Sequence, residues 1–181
     1  DVYFTDPRNV GDEERDLDFE GVFLIQPDGE VVIATKDVAK PNGILIAHHG
    51  KTAYIADHPI GDSGARQLLA FEIAPDGTLR DKRVLHDFGA SRGIDGMALD
   101  TEGNIFATAG AGPEAGIYIF EPRGGNLLRV IRLPGDPTNC TFGKGGESST
   151  LYVTAEAPAG DERGGYGLYK IDLGKRASAP E

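Results

Sequence analysis

Cysteine is almost missing from this sequence. Cys140 stands alone among 181 residues, which excludes an intrachain disulfide. No Lys/Arg-rich run occurs, and 18 basic residues face 29 acidic ones for a formal net charge of −11. Binding to a phosphate backbone needs a positive footprint, so a nucleic acid partner is not expected. No apolar run approaches the roughly 20 residues that cross a bilayer, and no signal peptide heads the chain. The chain reads as soluble, whether cytoplasmic, periplasmic or secreted. It opens at Asp1, without a Met and inside an expected strand, so N-terminal sequence is expected to be missing.

What is abundant is turn chemistry. The 26 glycines and 11 prolines follow no triplet period, and 39% hydrophobic residues is an ordinary share. Helical periodicity is scarce, whereas short apolar runs bounded by turn residues recur. Strands are expected over 2–5, 22–25, 30–35, 44–47, 53–56, 67–73 and 84–87. They continue over 97–99, 104–107, 117–120, 127–133, 141–142, 151–154 and 168–171. Pro27-Asp28-Gly29, Pro75-Asp76-Gly77, Glu102-Gly103 and Gly124-Gly125 read as the hairpin turns between them.

These strands repeat as a unit. Asn42-Gly43-Ile44 precedes Tyr54-Ile55-Ala56-Asp57, Asp95-Gly96-Met97 precedes Ile105-Phe106-Ala107-Thr108, and Asn139-Cys140-Thr141 precedes Leu151-Tyr152-Val153-Thr154. A period of about 50 residues with four strands is that of a propeller blade. The fold class expected is all-β: a β-propeller with about four blades present of an expected six, forming one domain over 1–181 that lacks its N-terminal blades. The first blade lacks its innermost strand. An open ring leaves strand edges and apolar blade faces uncovered. The 181-residue segment by itself is therefore expected to be inactive and poorly soluble.

Innermost strands line a central channel, and Asn42, Asp95 and Asn139 share one register in three blades. They are expected to meet at one mouth, where oxygen donors suit a hard cation such as Ca²⁺ or Mg²⁺. Asn-Gly and Asp-Gly are equally common turn dipeptides, and the residues alone leave both readings open. Cys140 reads as a buried small apolar residue, not a ligand.

Val2-Tyr3-Phe4-Thr5-Asp6-Pro7, Pro41-Asn42-Gly43-Ile44, Asp95-Gly96-Met97 and Thr138-Asn139-Cys140-Thr141-Phe142-Gly143 follow in this order. Together they resemble the landmarks of the SMP-30/gluconolactonase/LRE family over essentially the whole chain. The resemblance implies a lactonase with one divalent metal ion, Ca²⁺ foremost, with Mg²⁺, Zn²⁺ or Mn²⁺ as alternatives. It implies Asn42 and Asp95 as metal ligands, Asp95 also as the general base, and a sugar-type lactone as substrate. The family's third ligand, a Glu, and its substrate-binding Arg and Asn have no counterpart here and would lie upstream of Asp1. Ile94 stands where the family has Pro. Asp6 and Asn139 are further candidates, facing substrate or a second metal; Asp6 before Pro7 also reads as a turn cap.

Other signals are set aside. Gly61-Asp62-Ser63-Gly64 near His58 mimics a serine-protease fragment but reads as a loop. His48 and His49 are adjacent and would point apart on a strand; His86 reads as structural. The segment 142–149 is Gly-rich without the Gly-Lys-Ser/Thr ending of a phosphate loop. The acidic run 11–20 reads as a solvated loop, with a lid as the other reading. Two other functions compete: a non-catalytic propeller that binds a protein or glycan, and a strictosidine-synthase-like or paraoxonase-like hydrolase.

Overall fold

The computed structural model describes residues 1–8, 14–58, 66–157 and 164–174. Among them the regular structure is fourteen β-strands and two single 3-10 turns, with no α-helix. The chain divides into two compact units, Asp1–Ala90 and Ser91–Glu181.

The first unit holds two antiparallel sheets. One comprises β1 (Val2–Asp6), β2 (Gly21–Ile25) and β3 (Val31–Thr35), paired in that order. The other comprises β4 (Pro41–Ile46), β5 (Thr52–Asp57), β6 (Gln67–Ile73) and β7 (Leu79–Asp87). Between them lies a core of Val22, Leu24, Ile55, Leu69 and Phe71. The second unit repeats the plan. Its four-stranded sheet runs β8 (Met97–Leu99), β9 (Ile105–Ala109), β10 (Gly116–Phe120) and β11 (Leu127–Arg132). Its three-stranded sheet runs β12 (Pro137–Phe142), β13 (Thr150–Glu156) and β14 (Tyr166–Asp172). Phe106, Ile117, Phe142, Leu151 and Val153 fill its core, where the rings of Phe106 and Phe142 meet edge to face, 5.1 Å apart. These four meandering sheets are four blades of a β-propeller fold, as the repeat implied.

Position in the sheet explains which strands the sequence displays. Every residue of β9 and β10 is buried, so both read as apolar runs, interrupted in β9 by Thr108. The outer strand β14 alternates between exposed and half-buried residues along its length. β7 begins five residues before its expected start, because Arg80, Asp81, Lys82 and Arg83 hide it and Asp81 adopts a positive φ of 51° at a register shift. Strands β4 and β12 also begin earlier than expected, at Pro41 and Pro137. Proline can open a strand because the missing N–H is not needed there.

The Pro-Asp-Gly turns form as expected. Asp28 and Asp76 each accept the backbone N–H two residues on, at 3.0 and 3.1 Å, and Gly29 and Gly77 take φ of 88° and 81°. The two glycines differ in their surroundings. A methyl at Gly29 would meet open space, whereas at Gly77 it would collide with Leu24 Cδ2, beside a carbonyl that accepts the Tyr3 hydroxyl at 2.8 Å. Gly29→Ala should therefore cost about 1–2 kcal/mol for the left-handed backbone alone. Gly77→Ala should add an overpacking cost of about 1–3 kcal/mol. Chemical denaturation of both variants checks the difference; equal losses would disprove it.

Candidate functional site

The first unit carries Asp6 and Asn42 at the same end of its two sheets. β1 ends at Asp6, and the Thr5 hydroxyl before it donates to the Asn42 carbonyl on the neighbouring sheet at 2.8 Å. Asn42 lies within β4, half-buried, where the pairing with β5 slips between Pro41 and Ile44. It therefore occupies a bulge rather than the hairpin turn its Asn-Gly dipeptide suggests. Asp57, at the end of β5, is 5% exposed and accepts the backbone N–H groups of Ala39 and Lys40, the latter at 2.7 Å. That buried carboxylate fixes the approach of the chain into β4. Asp6, the residue in the matching place on β1, is exposed.

Beyond Asp6 the connection to β2 walls a cavity of about 300 Å³, lined by Asp6, Glu14, Arg15, Asp16, Phe19 and Glu20 among others. Glu20 Oε1 accepts Arg15 at 3.3 Å, while its buried Oε2 has no partner among the described residues. Within the acidic run 11–20, residues 14–20 form an irregular loop, and 11–13 lie outside the described residues.

The second unit sets Gly96, the neighbour of Asp95, against Asn139. Asp95 immediately precedes Gly96 and β8, half-buried, with its backbone N–H bonded to Thr108 O at 2.9 Å. Thr108 is fully buried; its hydroxyl accepts Gly96 N–H at 2.9 Å and lies within reach of the Gly96 and Thr138 carbonyls at 3.0 and 3.2 Å. Gly96 does not take a left-handed φ, so Asp95-Gly96 is no two-residue turn. Glycine is required there for space, since a methyl on it would collide with Asn139 Oδ1. Asn139 is exposed within β12 and accepts its neighbour's N–H, that of Cys140, on Oδ1 at 2.8 Å.

Arg92, which sequence reasoning passed over, contacts Asp95 directly. Its Nη2 donates to Asp95 Oδ2 at 3.0 Å, with the two side chains 29% and 33% exposed. A loop without periodicity gives no signal for such a partner. Thr108 is likewise read from sequence only as a strand residue.

The remaining sequence signals resolve without chemistry. Cys140 is buried, and burial pushes its thiol up to about 12, which removes it as a thiolate ligand. His48 and His49 are exposed in a turn. His86 is half-buried on β7 and packs edge to face on Phe88, and burial lowers its pKa. Gly61-Asp62-Ser63-Gly64 lie outside the described residues, and His58 follows β5 with its backbone N–H on Lys40 O. Residues 145–147 form a 3-10 turn. The candidate donors for a divalent cation are all oxygen: the Asn42 amide in the first unit, and the Asp95 carboxylate and Asn139 amide in the second. They fit a hard cation in kind. Among the described residues no three His, Cys, Asp or Glu side chains group to hold one unaided.

A sequence model of the SMP-30/Gluconolactonase/LRE-like region matches residues 1–157. The chain belongs to this family. It is 30% identical over 167 residues to a gluconolactonase of Zymomonas mobilis, covering 85% of this chain and 44% of that protein. Its fold is similar to that of a Xanthomonas campestris gluconolactonase (TM-score 0.72, 25% identity, 93% of this chain and 53% of that one). It is also similar to regucalcin, a calcium-binding protein of Agrobacterium tumefaciens (TM-score 0.67, 21% identity, 89% and 54%). The chain thus spans about half the length of these relatives.

Gly96→Ala should displace Asn139 and cost about 1–3 kcal/mol by overpacking. Gly96→Ala combined with Asn139→Ala should recover only part of the loss, since the added methyl would still lie 3.0 Å from Asn139 Cα. A double-mutant cycle measured by denaturation reads the coupling, and additive losses would show that the two residues are not in contact.

Proposed function

We propose that the full-length protein is a metal-dependent lactonase that opens a sugar-type lactone to its hydroxy acid. The observation that carries this reading is Asp95. It is a half-exposed carboxylate ahead of β8, oriented by an arginine and backed by a buried threonine, at the Asp-Gly-Met landmark of a family whose relative here is a gluconolactonase. On this reading all 181 residues belong to one propeller domain.

Asn42 and Asp95 would hold a divalent cation, Ca²⁺ fitting the all-oxygen donors best, and when bound it supplies Lewis-acid polarisation of the lactone carbonyl. Asp95 takes the proton of the attacking water as that oxygen adds to the carbonyl carbon. The ring C–O bond then breaks, and the proton returns to the departing ring oxygen, giving the hydroxy acid. The neutral Asn42 amide orients the cation without cancelling its charge. Asn139, packed on Gly96, and Asp6 are the candidates for facing the substrate or a second metal.

Full-length protein should hydrolyse aldonolactones and lose the activity on chelation. Asp95→Asn should keep the fold and lower kcat by roughly 10²–10⁴-fold, the usual weight of a general base. Asn42→Ala should weaken cation affinity and reduce turnover less. A pH-stat assay of aldonolactones against aryl esters decides the class. Preference for aryl esters would favour a paraoxonase-like hydrolase, and no turnover on either would favour a binding propeller. Near-normal activity of Asp95→Asn with metal bound would show that another group is the base.

A further inference from the structure

We propose that Arg92 is a positioning residue that sets the Asp95 carboxylate for cation binding; what Asp95 binds rests on the lactonase reading above. The guanidinium is held at three points. Nη1 donates to Pro137 O at 2.8 Å and Gly110 O at 3.1 Å, and Nη2 to Asp95 Oδ2 at 3.0 Å. Gly110 returns the contact, its N–H bonding Arg92 O at 3.0 Å. Gly110 follows β9 of the four-stranded sheet, and Pro137 opens β12 of the three-stranded one. Gly110 is itself fixed: its φ is +72°, and a methyl there would collide with Glu114 O. One planar fork therefore references Asp95 to rigid backbone on both sheets of the unit.

The ion pair is half-buried, and two of the three contacts of the guanidinium go to backbone carbonyls, so orientation is what the arrangement provides. Arg92 engages a single carboxylate oxygen, Oδ2. The rotation of the carboxylate is thereby set before a cation arrives.

Two effects of Arg92 on cation binding oppose each other, which makes the proposal testable. As a bare positive charge it would repel a cation at Asp95, and its removal would tighten binding. As a positioning group it preorganises the ligand, and loss of such outer partners weakens metal affinity by roughly 10–100-fold. The measurement is calorimetric titration of metal-free full-length protein with Ca²⁺ and, separately, Mn²⁺. Arg92→Met should bind either ion 10–100-fold more weakly. Arg92→Lys should recover only part of the loss, because an ammonium is a point charge without the fork that spans three acceptors. A core control in the same unit, Phe120→Leu, should melt at lower temperature with unchanged affinity, separating positioning from general destabilisation. Unchanged or tighter binding by Arg92→Met would overturn the proposal. If that variant does not fold, wild-type affinity in Arg92→Lys overturns it equally. Failure of the lactonase reading shows separately, as wild-type protein that binds neither ion, and takes this proposal with it.

Discussion

A side-chain hydroxyl near the end of a strand, reaching a backbone carbonyl on the next sheet, is the contact on which the candidate site depends. Thr5 does this to Asn42 in the first unit. Thr108 does it to Thr138 in the second, while also receiving the Gly96 N–H. Both tie the end of a strand to the start of the next sheet's innermost strand, where the candidate ligands lie. Apolar packing alone would hold two sheets face to face without fixing how far one slides along the other. A buried hydrogen bond is costly to leave unmade, so it specifies that offset. Where the equivalent position is Ala56, the neighbouring Asp57 binds the backbone of residues 39 and 40 instead.

The same geometry explains why the glycines after Asn42 and Asp95 mislead. An Asn-Gly or Asp-Gly step reads first as a tight turn, because glycine tolerates positive φ. Here one step lies in a bulged strand, and the other needs glycine because the Asn139 side chain occupies the space where a Cβ would be. The glycine is a spacing device between two innermost strands. A repeat that places oxygen-bearing residues in a common register is thus better evidence for a site than any of its dipeptides.

Most of the fold was legible because period-2 patterning and Pro-Asp-Gly turns are local signals, written in contiguous residues. Strands β4, β7 and β12 ran long where their additional residues are mostly charged, polar, glycine or proline, and there pairing rather than pattern decides. Asp95 and Asn139 were visible through the repeat. Arg92 was not: its partners Gly110 and Pro137 lie 18 and 45 residues away and accept through backbone oxygens. A carbonyl has no residue-type signature, so a side chain that binds carbonyls leaves no pattern to read.

The acidity of the chain is the signal most easily overvalued. A charge of −11 suggests a cation-binding protein, yet among the described residues no three His, Cys, Asp or Glu side chains group to hold a cation. Glu14, Asp16 and Glu20 line the cavity beyond β1, while Asp76, Asp87, Glu121 and Glu147 have lowered pKa values from hydrogen bonds to nearby backbone or side-chain donors. The candidate donors contribute one carboxylate, and a guanidinium already shares it. A hard cation that competes for such a ligand against its own hydration gains from preorganisation rather than from accumulated negative charge. On the proposed reading, the chemistry would rest on how firmly Asp95 is held, a property of Arg92, Thr108 and Gly96 together, and not on how acidic its surroundings are.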